Sequence, residues 1–166
     1  MALMMLLDAI QEFLEDKLKN VQFLVKPDED DDETPAVRGV RIFQQRMPNP
    51  DDPTPYIPYV LLQMMNGEDK RLENGQEESR TAVRFVVTLY DPDPEEGAKA
   101  LSNLISTMRY EMEQAGVVGG RYELMRPMQY QFIVDNTLPY HLAEMMTEWR
   151  IPSVERVVPE LSFNNW

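Results

Sequence analysis

The chain has 166 residues, of which 29 are acidic and 16 are basic, so its formal net charge is −13. This length favours one domain built around a single sizeable core. The acidic charge argues against tight binding of nucleic-acid phosphates, because such binding needs a basic face. The sequence contains no cysteine, which excludes disulfides, thiolate zinc sites and a cysteine nucleophile, and suits a reducing cytoplasm.

The sequence also argues against several kinds of functional site and targeting segment. The single histidine, His141, argues against a histidine-rich metal site and against a Ser-His-Asp triad. We expect it to be a surface or interface side chain. The apolar opening MALMMLL has no basic residue before it and acids soon after it, unlike a signal peptide, and the longest apolar run, residues 59–65, is too short to span a bilayer.

The N-terminal part of the chain predicts one helix and two strands. Apolar residues recur there at spacings of three and four, which is typical of an amphipathic helix: Leu3, Leu7, Ile10, Leu14 and Leu18, with Leu6 and Phe13 widening the stripe. The segment VQFLV, residues 21–25, predicts a short strand, and VRGVRIFQQRM, residues 37–47, predicts another.

An acidic loop, residues 26–35, separates these two predicted strands, and its residues 28–33 are all acids. Carboxylates in a loop suit a hard cation such as calcium. The run nevertheless lacks the alternating ligand spacing and the internal glycine of an EF-hand loop, and contiguous like charges repel one another. We therefore predict a solvated acidic loop and no dedicated calcium site.

The middle of the chain predicts a long hairpin beside a central strand. Five prolines within residues 48–58 exclude regular structure there. PYVLLQMM then predicts a strand that ends at the turn dipeptide Asn66-Gly67, and the polar residues 66–80 predict a long exposed hairpin loop, whose length favours a binding role. In TAVRFVVTLY, residues 81–90, both alternating faces are largely apolar, which predicts a central strand.

A second helix is predicted by the apolar stripe between residues 98 and 115, which Gly116 closes. Its start is encoded in YDPDPEEG, where Asp93 precedes Pro94 and Glu96 follows three residues after Asp93. These three residues supply a cap acceptor, a preset φ and a back-reaching carboxylate. The spacing therefore predicts that Asp93, Pro94 and Glu96 form the helix cap.

The same acids permit a second interpretation, a metal-dependent hydrolase that uses Asp91, Asp93 and Glu95. Such a site needs a carboxylate with a raised pKa beside convergent polar groups. The sequence has no GxSxG, HExxH or glycine-rich phosphate loop that would supply partners. The helix start accounts for the acids without catalysis, so we predict no catalytic, cofactor-binding or metal site.

The last third of the chain predicts strands in YELM, in MQYQFIV and, after a turn at DNTLP, in HLAEMMTEWRI. The composition of HLAEMMTEWRI favours a helix, but its apolar residues alternate with a period of two up to Pro152, which predicts a strand. Residues 155–166 form a C-terminal tail. Its apolar residues have no evident partner in their own domain and are the candidate inter-subunit contacts: Val157, Val158, Leu161, Phe163 and Trp166.

Together these elements predict an α/β fold of the α+β type, with two main helices packed on one side of a mostly antiparallel sheet, in one domain spanning residues 1–154. Their order, with the segments PYIPYVLLQMMNGED, TAVRFVVTLYDPDPEEG and RYELMRPMQYQFIVDNTLPYHLAEMMTEWRIP, resembles the tail terminator proteins of tailed bacteriophages and phage-like particles. The resemblance covers roughly residues 1–152 and is one of layout. The acidic insert and the tail after Pro152 lie outside it.

The resemblance implies a non-enzymatic structural protein of the virion, assembled in the host cytoplasm. Members of that family form hexameric rings on the head-proximal end of the tail tube, stop its polymerisation and present a surface to the head connector. The implied partners are further copies of the chain, the tail tube protein, the head–tail connector and, in a contractile tail, the sheath protein. DNA would pass through the lumen without specific binding, to which the net charge of −13 is suited. No cofactor and no membrane are implied.

Other functions remain open at the level of sequence. Within a phage particle, the layout also fits another head–tail connector or neck component. Outside that class stand the metal-dependent hydrolase and a calcium-binding module that uses residues 28–33.

Overall fold

The computed structural model describes residues 2–27, 36–134 and 136–154. In chain order its helices and strands are α1 Ala2–Leu18, β1 Gln22–Leu24, β2 Val37–Gly39, β3 Arg41–Gln44, β4 Tyr59–Arg71, β5 Glu77–Tyr90, α2 Pro94–Ala115, β6 Val117–Val118, β7 Tyr122–Ile133 and β8 Tyr140–Ile151. One 3₁₀ turn, Thr54–Tyr56, lies before β4. No helix in these ranges is long and apolar enough to span a bilayer.

Six strands form a strongly curled sheet in the order β3-β4-β5-β8-β7-β6. The β3–β4 pair is parallel and every other pair in this sheet is antiparallel. The strands β1 and β2 form a separate antiparallel pair. This confirms the predicted α+β class with a mostly antiparallel sheet.

Both helices pack on one face of the sheet around one core. Alternate residues of the central strand β5 point into this core, among them Val83, Phe85 and Val87, and all three are fully buried. The residues on the other face of β5 from Glu78 to Tyr90 are half-buried or buried, and β5 lies between β4 and β8, so its predicted central position is confirmed. In α1 the buried stripe starts at Leu6, whereas Leu3 is 42% exposed. The predicted helix is therefore confirmed, but its first turn contributes no leucine to the core.

Strand β8 shows the period-two pattern that the sequence predicted, with every second residue from Ala143 to Trp149 buried. Thr147 is buried among these apolar residues, yet its hydroxyl is fully used. It donates to the carbonyl of Val83 at 2.9 Å and accepts from the indole nitrogen of Trp149 at 2.8 Å. A buried polar group of this kind stabilises a fold only when it is hydrogen-bonded, as it is here.

The proline-rich segment covers part of the opposite face of the sheet. Met47 and Ile57 pack there against Tyr59 and Leu61 of β4. Prolines 53, 55 and 58 have no backbone N–H group to donate. This segment is held instead through its carbonyl oxygens, because Arg38 of β2 donates to Ile57 O at 2.5 Å and Arg41 of β3 donates to Pro55 O at 3.1 Å. Burial and the nearby charge of Arg41 lower the pKa of Arg38.

Three predicted elements differ from the structure. The strands predicted in YELM and MQYQFIV form one strand, β7, whose register with β8 shifts between Met125 and Gln129. The strand expected at residues 37–47 is divided at Val40, because β2 pairs with β1 whereas β3 pairs with β4 of the large sheet. The long loop expected at residues 66–80 is instead an extended hairpin, with a turn of only residues 72–76. Gly75 of the second Asn-Gly takes the positive φ of that turn, at 84°, while Asn66-Gly67 lies within β4 next to a bulge.

Candidate interaction site

The acids that follow β5 begin helix α2. Asp93 is the N-cap, and its side chain accepts from the backbone nitrogens of Glu95 at 2.9 Å and Glu96 at 3.1 Å. Pro94 is the first helical residue, as predicted. These contacts satisfy two of the amide groups that a helix start leaves without partners.

Glu96 does not play the part predicted for it. The backbone nitrogen of Asp93 donates to Asp91 Oδ1 at 2.9 Å, so Asp91 takes the place of the back-reaching carboxylate. Glu96 instead forms an exposed ion pair with Lys99 at 3.6 Å, one helical turn further on. Within residues 2–27, 36–134 and 136–154, the histidine and carboxylate side chains form no group of three that could hold a metal ion.

His141 joins the start of α2 to the start of β8. Its Nε2 lies 3.1 Å from the carbonyl oxygen of Asp91, and its ring packs against Gly97. A Cβ atom placed on Gly97 would lie 2.0 Å from His141 Nε2, which no real contact permits. Any larger residue at position 97 would therefore force the ring to move. The sequence analysis did not predict this contact, although a glycine inside a predicted helix is itself a sign of close packing.

An apolar groove of about 490 Å³ opens beside this joint, between the first half of α2 and the β7–β8 turn. Ala98 and Leu101 line it from the helix, and Phe132, Val134 and Leu138 line it from the other side. Val134 is 89% exposed and Leu138 is 52% exposed, so large apolar side chains stand in water here. Exposed apolar groups gathered around a groove mark a binding surface more than scattered ones do.

The same groove borders an unprotected edge of the sheet. On the outer side of β7, the described residues pair with β6 at Tyr122 and Glu123, and Leu124 N donates to Gly116 O at 2.8 Å; no pairing partner is described there beyond Leu124. Residues 128–134, MQYQFIV, carry no charge. Edge strands usually carry charged residues, prolines or bulges that prevent pairing with another chain. In β7 these devices, Arg126, Pro127 and the register shift between Met125 and Gln129, all precede residue 129, so the rest of this edge is open to an added strand. On the helix-facing side of the edge, Arg109 stacks over the ring of Tyr130, 4.4 Å from its centroid.

A second exposed feature lies at the opposite end of β8. Ser79 pairs with Ile151, the last residue of β8, so residues 70–78 of the β4–β5 hairpin project beyond it. This projecting part is charged, in contrast to the groove. At its base Arg80 binds Glu78 and lies 3.6 Å from Glu148. The hydrogen bond from Arg80 lowers the pKa of Glu78, which in turn raises the pKa of Arg80.

A row of hydrogen-bonded polar side chains crosses the sheet face that lies away from the helices. Arg84 of β5 donates to Glu144 of β8 at 2.7 Å and to Gln63 of β4 at 3.2 Å. Glu144 also accepts from Gln131 of β7. The charges of Arg84 and Glu144 neutralise each other, and both glutamines are hydrogen-bonded to this pair, so the polar groups of this row already have partners.

The candidate contact residues of the tail, from Val157 to Trp166, lie outside the described residues, and so do residues 28–35 of the acidic loop. Residue 154, the last one described before the tail, is 87% exposed. No known protein-family model matches this chain, and no curated protein matches it significantly. The surfaces of the chain itself are therefore the basis for a functional conclusion.

Proposed function

We propose that the protein is a structural component of a phage or phage-like tail, and that it forms a hexameric ring that caps the head-proximal end of the tail tube. In this role it stops tube polymerisation and joins the tail to the head connector. The proposal combines the layout resemblance with the surfaces described above. Its partners are further copies of the chain, the tube protein, the connector and, in a contractile tail, the sheath protein.

One observation supports the ring most directly: in the described part of the chain, two different surfaces are exposed at opposite ends of β8. The apolar groove lies beside Tyr140, and the charged projecting hairpin lies beyond Ile151. A ring repeats one heterologous contact around a closed circle, so each subunit needs two unlike surfaces that face different neighbours. A two-fold dimer needs only one self-complementary surface.

The charge distribution supports a role around DNA rather than on it. The chain carries a formal net charge of −13, although the projecting residues 70–78, with three glutamates against Lys70 and Arg71, contribute little to it. Acidic walls repel the phosphate backbone, so a ring of this kind lets DNA pass without holding it. A second candidate role is that of another head–tail connector or neck component. This role would use the same two surfaces, but the protein would contact a different neighbour in the particle.

The test is tube growth in the presence of the protein. Purified tail tube protein is polymerised with and without it, and tube lengths are measured by negative-stain electron microscopy. We expect shorter tubes with a ring on one end only. Tubes that grow to the same length with both ends bare contradict tube termination.

A pair of variants on adjacent residues sharpens this test. Ala98→Trp fills the groove, whereas Lys99→Trp adds the same ring at a highly exposed position outside it. We expect Lys99→Trp to cap tubes as the unchanged protein does and Ala98→Trp to lose capping. Equal activity of the two variants would show that capping does not use the groove.

A further inference from the structure

The apolar groove and the free edge of β7 form one continuous surface, and its occupant can be inferred from the chain. We propose that residues 161–166 of one copy bind this surface on the neighbouring copy, pairing with the edge of β7 and placing Leu161 and Phe163 in the groove. The inference rests on the self-assembly part of the proposed function and specifies its contact.

The chemistry of the tail segment matches that of the edge. Residues 161–166, LSFNNW, contain no charged side chain and no proline, so every one of them has a backbone donor for strand pairing. Leu161 and Phe163 are two residues apart and therefore lie on the same face of a strand. An added strand gains affinity from backbone hydrogen bonds and specificity from alternate side chains that enter a groove.

The position of the tail decides between its own groove and that of a neighbour. Ser153 Oγ lies 3.3 Å from Ser79 Oγ and 3.3 Å from Glu77 O, so the chain leaves β8 on the side of β5. The strand β7 lies on the other side of β8. The tail therefore starts on the wrong side of β8 for its own groove.

The distance along the sheet also disfavours the intramolecular contact. The groove residue Ile133 pairs with Leu142, nine residues before Ile151, a separation of about 30 Å at about 3.3 Å per residue. Leu161 lies only seven residues after Val154, and this stretch spans at most about 25 Å when it is fully extended. To come near its own groove, Leu161 would need this full extension and would also have to cross β8 and β7, so a groove on another copy is the favoured site for Leu161 and Phe163.

The experiment mixes two full-length variants that each lack one half of the contact. Leu161→Asp/Phe163→Asp keeps the groove and loses the apolar tail, and Val134→Asp keeps the tail and places a charge in the groove at a residue that is 89% exposed. Ala98→Trp is a second groove variant. Circular dichroism of each variant alone checks that it remains folded.

Sedimentation velocity then reports association. We expect the unchanged protein to self-associate, and each variant alone to do so at least about tenfold more weakly, because the lost side chains are central to the contact. An equimolar mixture should form a one-to-one complex, since one intact tail meets one intact groove. Mixtures that contain only monomers overturn the inference, as does a groove variant that assembles like the unchanged protein.

The outcome is separable from that of the tube assay. If the mixed pair forms while the unchanged protein leaves tubes uncapped, the tail contact stands and the proposed function fails. If tubes are capped and the mixed pair does not form, the ring exists but uses a different contact.

Discussion

The close packing of Gly97 against His141 predicts that Gly97→Ala destabilises the unchanged protein but stabilises the His141→Ala variant. An alanine Cβ at position 97 would lie 2.0 Å from His141 Nε2 and 2.4 Å from two ring carbons. The whole ring must therefore move, and its contact with the carbonyl of Asp91 is lost with it. Overpacking of this kind costs about 1–3 kcal/mol, whereas replacing glycine by alanine within a helix stabilises by about 0.8–1.0 kcal/mol.

We therefore expect Gly97→Ala to lower the free energy of unfolding by up to about 2 kcal/mol in the unchanged protein. In the His141→Ala background the ring is absent, so the same substitution should raise the free energy of unfolding by up to about 1 kcal/mol. Urea unfolding followed by circular dichroism measures all four proteins of this double-mutant cycle.

Gly39→Ala is the control, because its added Cβ would meet only Val21 O at an ordinary 3.7 Å. We expect it to change stability by no more than about 0.5 kcal/mol. If Gly97→Ala stabilises the unchanged protein, or has the same effect in both backgrounds, the packing argument at this joint is wrong.

Three further predictions concern the helix cap, the core and the acidic loop. Asp93→Ala removes the acceptor for two amide groups and should lower the thermal stability by about 0.5–2 kcal/mol in calorimetry, and an unchanged unfolding temperature would contradict the capping role. Thr147→Val leaves the indole nitrogen of Trp149 without this acceptor and removes one bond to the carbonyl of Val83, so urea unfolding should show a loss of about 1–3 kcal/mol, whereas a neutral result would contradict the importance of the Thr147 bonds. Calorimetric titration with calcium should give no saturable binding in the micromolar range, whereas a one-site isotherm there would contradict the prediction that residues 28–33 form no calcium site.

Periodicity was the most informative signal in the sequence. The segment that became β8 is rich in helix-forming residues, yet its alternation from Ala143 to Trp149 predicted the strand. Burial on one face of a sheet outweighs intrinsic propensity, because the propensity differences are a fraction of a kcal/mol per residue. The start of α2 was predictable for a similar reason, since its cap depends on local contacts of Asp93 and Pro94.

The hairpin was mispredicted because its strands leave the core. Residues 66–71 and 77–80 have no apolar alternation, so the signal that identifies strands is absent although the backbone pairing continues. The chain also offers two Asn-Gly dipeptides, and local sequence does not distinguish them. The register with β5 places Gly75 in the turn and Gly67 within β4.

The groove was beyond sequence reasoning because its two walls are distant along the chain. Ala98 and Leu138 are forty positions apart, and they meet only through the β5–β8 pairing and the packing of α2 on the sheet. The uncharged edge at residues 128–134 could be read from the sequence, but its exposure depends on β7 being the strand next to the short β6. The sequence therefore predicted that the tail contacts another subunit, but it could not show the groove and the strand edge that we propose as the binding surface.

The mass of the assembly, measured by native mass spectrometry with and without isolated tail tubes, tests the proposed ring most directly. Six copies of the 19.4 kDa chain give a closed ring of about 116 kDa. We expect this species alone or at the tube end, with capped tubes that no longer grow. A protein that remains a monomer beside tubes, or assembles while tubes lengthen unchecked, contradicts the proposed function.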